Sequence, residues 1–219
     1  MNNKETVLQV KNLTKYFPIK SGFFSTLGRK EANVVKAVDN ISFQVNDKEV
    51  LGFVGESGCG KSTMSRCILR LIEPTGGAVY YKGTDLTNLG KLELKKFRRK
   101  VQMIFQDPHG SLNPRRTVSE ILRQSVQIHH LATSVDEENE MIRSTLEEVE
   151  LDPDRYWDRY PILLSGGQRQ RVGVGRVLIL QPKLIVADEP ISMLDVSVRI
   201  GLLDLLLKMR ERHGIAFIY

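Results

Sequence analysis

"VLGFVGESGCGKSTMSRCILRL", residues Val50 to Leu71, decides how the chain is read. Its first five residues, Val50 to Val54, form an apolar run of strand length and predict a buried strand. Its last part places Met64, Cys67, Ile68 and Leu71 at i, i+3, i+4 and i+7, one face of a helix. Between them stands Gly55-Glu56-Ser57-Gly58-Cys59-Gly60-Lys61-Ser62, followed by Thr63, and it fits G-x-x-x-x-G-K-[ST]. Glycines let backbone N–H groups curl around phosphate oxygens without Cβ clashes, at the positive end of the helix dipole. Lys61 would then reach the β- and γ-phosphates of a nucleotide, and Ser62 would offer a hydroxyl to Mg²⁺. A plain glycine-rich connecting turn is the alternative. The strand before and the helix after are the context a phosphate loop needs, and they favour it.

The 219 residues are enough for one sizeable core with a subdomain inserted into it. Hydrophobic residues make up 41% and charged residues 26%, the balance of an ordinary globular protein. The most apolar long run, "IGLLDLLLKM" from Ile200 to Met209, is broken by Asp204. It falls short of the roughly 18 residues a membrane helix needs and reads as an amphipathic or buried helix. The opening "MNNKETVLQVKN" has no apolar h-region, so a cytosolic location is expected, with docking on a membrane protein still open. The net charge of +6 admits nucleic acid, a membrane surface or mere solubility. The densest basic run, Lys91 to Lys100, alternates cations with Leu92, Leu94 and Phe97 at helical spacing and reads as a solvated helix face. Cys59 and Cys67 offer neither a metal pattern nor a disulfide framework, which fits a reducing compartment.

Upstream of the loop, "TVLQV", "VVKAV" and "ISFQV" read as short strands, with a surface excursion at 18–34. Downstream, "EPTGG" is expected to end the first helix, and "AVYY" with Lys82-Gly83 suggests a strand and turn. "KVQMIFQ" at 100–106 is another apolar strand. The character then changes. Thr117 to Glu120 and Ser134 to Glu137 both match a capping box and precede helical patterns. Ile121, Leu122 and Val126 mark the first pattern, and Met141, Ile142, Leu146 and Val149 the second, with Asp152-Pro153 closing it. Residues 107–172 therefore read as a helical insertion between strands of one α/β core, formed by 1–106 and 173–219. "LIVADEP" is a buried strand, and a long helix to His213 with Gly214 at its end leads into the strand "IAFIY".

Several residues at the ends of these elements carry chemistry. Asp188 and Glu189 end an apolar strand, and strand C-termini line the ligand crevice of parallel sheets. Asp188 would hold Mg²⁺, and Glu189 would act as general base on the attacking water. An acidic loop start is the alternative there. Gln106 is either a polar strand end or a group that ligates Mg²⁺ and hydrogen-bonds water. Ser165 reads as an N-cap, with Gly166, Gly167 and Gln168 opening a helix whose first-turn N–H groups can bind an anion.

As a set, these motifs resemble those of ATP-binding cassette (ABC) ATPases. "GESGCGKST" resembles the Walker A motif, Gln106 the Q-loop glutamine, "LSGGQ" the signature, "LIVADE" the Walker B motif, and "SMLD", Ser192 to Asp195, the D-loop. The resemblance covers essentially the whole chain. "FQDPHGSLNPRRTV", "RYP…LSGGQRQRV" and "ADEPISMLDVSVR" are similar to the ATPase subunits of dipeptide, oligopeptide and nickel importers. The resemblance implies an α/β P-loop NTPase (RecA-like) core with an N-terminal antiparallel β-subdomain and an inserted α-helical subdomain. It places Phe17, or its neighbour Tyr16, at the position that stacks on adenine. It further implies ATP and Mg²⁺ as ligands and a head-to-tail dimer with an identical or related ATPase subunit. In that dimer Ser165 and Gly167 touch nucleotide bound to the other subunit, and Gly166, Gln168 and Asp195 are further nucleotide-binding residues. Two transmembrane permease subunits, with an extracytoplasmic solute-binding protein acting through them, are the implied partners at the cytoplasmic face of the membrane. No nucleic-acid partner is expected.

Soluble ABC ATPases of DNA or ribosomes are the nearest rival, but paired cassettes, coiled-coil arms and zinc modules are not seen in this sequence. A small-molecule P-loop kinase would not need "LSGGQ", and a purely regulatory nucleotide-binding module is the third alternative. Three departures from the family pattern stand out. Ile162-Leu163 precede the signature where a His-Glu or similar pair is common, and Gly173 and Gly175 replace alanines in the signature helix. The sequence also stops before the family's switch-histidine stretch, for which His213 is no substitute. A fragment that binds nucleotide but hydrolyses it weakly is expected on that ground.

Overall fold

A computed structural model of the chain describes residues 5–19, 34–106, 110, 112–190 and 195–219. In chain order its elements are β1 (Thr6–Pro18), β2 (Val34–Asn46), β3 (Val50–Leu51), α1 (Lys61–Ile68), β4 (Gly76–Tyr81), β5 (Thr84–Asp85), α2 (Lys91–Lys100) and β6 (Val101–Ile104). There follow α3 (Val118–Ile128), α4 (Val135–Glu148), α5 (Pro153–Tyr156), a 3₁₀ turn (Pro161–Leu163), α6 (Gly166–Leu178), β7 (Leu184–Ala187), α7 (Val196–His213) and β8 (Ala216–Ile218). Two compact units result: Met1–Asp47 with Gly52–Leu94, and Lys48–Leu51 with Lys95–Tyr219.

The first unit is built on an antiparallel sheet in the order β2-β1-β4-β5. β1 and β2 pair from Thr6 opposite Asn46 to Pro18 opposite Val34. Residues 34–38 and 41–45, expected as separate strands, are thus one strand. Asn12 and Asn40 take left-handed conformations (φ 48° and 54°) beside the register shifts of this pair. Asparagine tolerates that region better than most residues, so the ladder kinks without ending. Lys82 and Gly83 form the two-residue turn between β4 and β5, with Tyr81 opposite Thr84.

α1 buries Met64, Cys67 and Ile68, as the periodicity predicts, but not Leu71, which is 45% exposed. The helix ends at Ile68, well before "EPTGG". Arg70 adopts a left-handed conformation (φ 49°), and the bonds Leu71 N–H to Arg66 O and Arg70 N–H to Cys67 O close a Schellman motif. The Arg70 guanidinium stabilises this stop by donating to the carbonyls of Leu86 and Leu89 at 2.8 and 2.9 Å.

The second unit holds a parallel sheet in the order β3-β8-β7-β6. β3 is two residues long rather than five, and Val54 is fully exposed at 102%. The ladder to β8 covers Val50 and Leu51, with one more bond from Tyr219 N–H to Leu51 O. The residues after Gly52 turn into the glycine loop, and Phe53 packs edge-on against Phe43 at 4.9 Å. β7 is buried along its whole length. Helices α3, α4, α6 and α7 contribute Leu122, Ile142, Leu146, Val172, Val174 and Leu205 to the same core.

Local chemistry fixes where these helices start. Thr117 caps α3 in a complete capping box with Glu120. Ser134 caps α4 by accepting from Glu137 N–H. The Glu137 carboxylate, however, accepts from the Thr133 N–H and hydroxyl instead of completing the expected box. Asp152 and Pro153 begin the short helix α5; they do not close α4. α4 is closed by Glu150 in a left-handed conformation (φ 57°), with Leu151 N–H bonded to Leu146 O.

Candidate active site

The phosphate loop is shaped by one close approach. Gly60 caps α1 with φ 99° and ψ 3°, and a Cβ there would lie 1.9 Å from the carbonyl oxygen of Ala37 in β2. No side chain fits, so glycine is required. Lys61 opens α1 and turns its ammonium back over the loop. It donates to the Gly55 and Glu56 carbonyls at 2.6 and 3.0 Å, with the Cys59 sulfur at 3.7 Å. Ser57 and Gly58 (φ 82°) form the turn in between, and Ser62 and Thr63 lie in the first turn of the helix. A cation held at a helix start, beside first-turn N–H groups, is an arrangement that receives phosphate.

The aromatic candidates sit in the same unit. Tyr16 and Phe17 of β1 lie opposite Lys36 and Val35 of β2, next to the Ala37 that Gly60 approaches. Tyr16 is tied down: its hydroxyl donates to Asp39, and the Lys36 ammonium lies 5.4 Å from its ring centre. Hydrogen bonds from Tyr16 and Lys36 hold the Asp39 carboxyl below its usual range. Phe17 is exposed, with the Lys15 ammonium 4.9 Å from its ring centre. It is the more available of the two rings for stacking.

The second unit carries the acidic strand end. β6 and β7 are parallel neighbours whose last paired residues, Ile104 and Ala187, stand side by side. The residues just beyond both strands therefore meet. Asp188 is buried, with its N–H donating to Ile104 O at 2.9 Å. Glu189 is exposed and takes a left-handed conformation, φ 46°. Its carboxylate accepts from Gln106 Nε2 at 3.2 Å. Left-handed geometry costs a non-glycine residue about 1–2 kcal/mol and persists where neighbours over-determine it. No cluster of three His, Cys, Asp or Glu side chains fit to hold a metal occurs among the described residues.

Ser165 caps α6 in a complete capping box. Its hydroxyl accepts from Gln168 N–H at 3.3 Å, and Gln168 Oε1 accepts from Ser165 N–H at 2.9 Å. Gln168 Nε2 also donates to the Tyr156 hydroxyl at 2.8 Å. Gly166 and Gly167, at the first two helical positions, have no intrahelical carbonyl to bond. Gly167 has a packing role too, since a Cβ there would stand 2.5 Å from Val198 Cγ1 of α7. Asp195 precedes α7, is exposed, and makes no side-chain cap bond. Ser192 to Leu194 lie outside the described residues, as do 20–33 of the expected excursion and several residues of "FQDPHGSLNPRRTV".

The structure thus brings Gln106 and Glu189 into contact. Phe17 and the phosphate loop belong to one unit; Gln106, Asp188, Glu189, Ser165 to Gln168 and Asp195 belong to the other. A sequence profile described as ABC transporter matches residues 38–192.

The chain belongs to the ABC transporter family.

Relatives refine the comparison. The ABC transporter chain is 44% identical over 218 residues to the oligopeptide transport ATP-binding protein AppF of Bacillus subtilis, covering 99% of this chain and 64% of that protein. It is 46% identical to the probable peptide ABC transporter ATP-binding protein y4tS of Sinorhizobium fredii, covering 98% and 59%. The chain therefore spans about three-fifths of the length of these curated relatives. Among solved structures, the ATP-binding cassette MJ0796 in a dimeric post-hydrolysis state with ADP and Pi superposes with a TM-score of 0.80 at 31% identity. That match covers 96% of this chain and 86% of that one. The fold is shared with cbiO1 of Clostridium perfringens as well, TM-score 0.78 at 23% identity. In this ABC transporter chain no described helix is long and apolar enough to cross a membrane.

Three residues that help build the site give no sequence signal of their own. Tyr156 anchors Gln168, Asp39 orders Tyr16, and Gln170 bonds to Pro190 beside Glu189. Each reads in the sequence as an ordinary polar or aromatic position.

Proposed function

We propose that the chain is the ATP-binding part of an ABC importer that moves peptides or a related small solute. The observation that carries the reading is the Gln106–Glu189 contact of 3.2 Å at the ends of two parallel buried strands. It joins a hydrogen-bonding amide to a carboxylate where strand C-termini line a ligand crevice. The peptide-transport names of relatives matching 98–99% of the chain support the substrate class.

The core would comprise 1–106 and 173–219, and residues 107–172 would form a helical subdomain carrying the signature. Gly55 to Thr63 would cradle the phosphates, with the Lys61 ammonium moving from its loop carbonyls to the β- and γ-oxygens. Phe17 would stack on adenine. Glu189 would accept a proton from the attacking water, and Gln106 would orient that carboxylate and the water. Ser62, Gln106 and Asp188 are hard oxygen donors of the kind Mg²⁺ selects, and the ion would neutralise charge on the transferred phosphoryl group. In a head-to-tail pair, Ser165, Gly166, Gly167, Gln168 and Asp195 would serve nucleotide bound by the partner ATPase. Two permeases would anchor the pair at the cytoplasmic face of the membrane, fed by an extracytoplasmic binding protein. Ile162 and Leu163, 75% and 63% exposed on the 3₁₀ turn before the signature, would lie toward the permease.

The test uses the full-length protein co-expressed with candidate permease subunits. ATP hydrolysis and peptide uptake are expected in the wild type. Glu189→Gln should retain ATP binding and lose hydrolysis by at least about 100-fold, and Lys61→Ala should lose both. A protein that stays off membranes and is retained by ribosomes or DNA would overturn the transporter reading.

A further inference from the structure

Gln170 is one of the few polar side chains sealed inside the second unit, 2% exposed. It lies on α6, five residues beyond the capping Ser165. Its Nε2 donates 2.8 Å to the carbonyl oxygen of Pro190. Pro190 is buried and directly follows Glu189. A proline has no N–H, so its carbonyl is the one backbone group through which that residue can be held.

Glu189 needs holding. Its backbone sits at φ 46°, a region an unbranched acidic side chain rarely occupies. Upstream the chain is fixed by the bond from Asp188 N–H to Ile104 O. On the side-chain end, Gln106 reaches the carboxylate. Downstream, Gln170 fixes the carbonyl of the next residue. α6 is a firm platform for this. Gly167 packs against Val198, and Arg171 donates to Val149 O at 2.9 Å and to Glu150 at 2.7 Å.

We propose that Gln170 is a positioning residue for Glu189: its bond to the Pro190 carbonyl holds the carboxylate in the conformation that takes the proton from water. Buried and bonded to a backbone carbonyl, Gln170 would act through Glu189 and not on the nucleotide itself. This rests on the proposed ATPase function. Its signature is a loss in kcat with nucleotide binding unchanged, because the phosphate loop makes no use of it.

Two substitutions in the full-length protein test this. Gln170→Met keeps the volume and removes the donor, leaving a buried carbonyl unpaired, and should lower kcat about tenfold with KM for ATP unaltered. When ionised, Gln170→Glu faces the carbonyl with an acceptor. Burial raises the pKa of such a carboxyl. As pH falls and it becomes protonated, its O–H can donate to Pro190. Activity of Gln170→Glu relative to wild type should therefore rise as pH is lowered, which a general packing defect would not produce. Wild-type kcat in Gln170→Met, a parallel loss of ATP affinity, or a pH profile of Gln170→Glu that tracks wild type would each overturn the inference. Absence of ATPase activity in the wild-type protein would instead overturn the functional reading beneath it. Should Gln170→Met fail to fold, the pH profile of Gln170→Glu decides the question alone.

Discussion

Gly60 and Gly58 are both glycines with positive φ, 99° and 82°, yet their surroundings differ. A Cβ at Gly60 would meet the Ala37 carbonyl oxygen at 1.9 Å, and one at Gly58 would meet nothing within 4 Å. Gly58→Ala should therefore carry only the left-handed strain, about 1–2 kcal/mol. Gly60→Ala adds a collision between loop and backbone that no rotamer can relieve. It should lower the thermal midpoint further than Gly58→Ala and abolish ATP binding in an equilibrium titration. The spacing that identifies the phosphate loop is readable from residue types, because the glycines and Lys61 act through backbone geometry close in sequence. What the loop leans on is not readable, since Ala37 belongs to a strand more than twenty residues earlier. The same holds for Gly167, whose neighbour Val198 comes from another helix, and for Gln170, which in sequence is one more polar residue in "GGQRQRV".

Helix ends are harder to read from residue types than helix beginnings. Starts show in Thr117, Ser134 and Ser165, whose hydroxyls satisfy first-turn donors. Gly214, left-handed at φ 61°, ends α7 as its residue type leads one to expect, but the other stops fall on Arg70, His130, Glu150 and Gln181, left-handed residues that are neither glycine nor asparagine. Tertiary contacts favour some of these stops, such as the Arg70 bonds to the 86–89 turn, and only the fold supplies them. Glu150 ties three helices together. Burial works against its ionisation, but hydrogen bonds from Arg171 and Lys208 outweigh that and hold its carboxyl below the usual range. A depressed carboxylate stabilises the fold above its unfolded pKa, near 4.3, and loses that stabilisation as pH falls through the folded value. Glu150→Gln should accordingly lower the melting temperature at pH 7, with the gap to wild type closing at pH 4 and below. Within α6, a Cβ on Gly173 would meet nothing within 4 Å. Gly173→Ala should therefore raise stability by roughly 1 kcal/mol in denaturant titration. At Gly175 the added methyl would meet Thr145 Cγ2 at 3.4 Å and Leu122 and Val149 at 3.6 Å, ordinary packing contacts, so a similar gain is expected there.

At the scale of the whole molecule, the chain presents two anion-binding helix starts, at Gly60-Lys61 and at Ser165-Gly166, in separate compact units. One start holds a lysine; the other has a capped helix terminus with no cation or anion in its first turn beyond Arg169. A head-to-tail pair would give each phosphate loop the helix start of its partner. Complementation tests that arrangement in the full-length protein when it pairs with its own copy. Lys61→Ala should disable the phosphate loop and leave the helix start intact. Ser165→Asp keeps a good N-cap but sets a carboxylate where phosphate would approach, so it should disable only the helix start. Each variant alone should be inactive. A mixed pair contains one site with a sound phosphate loop from the Ser165→Asp chain and a sound helix start from the Lys61→Ala chain. An equal mixture, exchanged to random pairing, should recover about a quarter of wild-type hydrolysis, since half the pairs are mixed and each has one of two sites. Sites completed within one chain would yield no recovery at all, because every site would then contain one damaged half, the loop in Lys61→Ala or the helix start in Ser165→Asp.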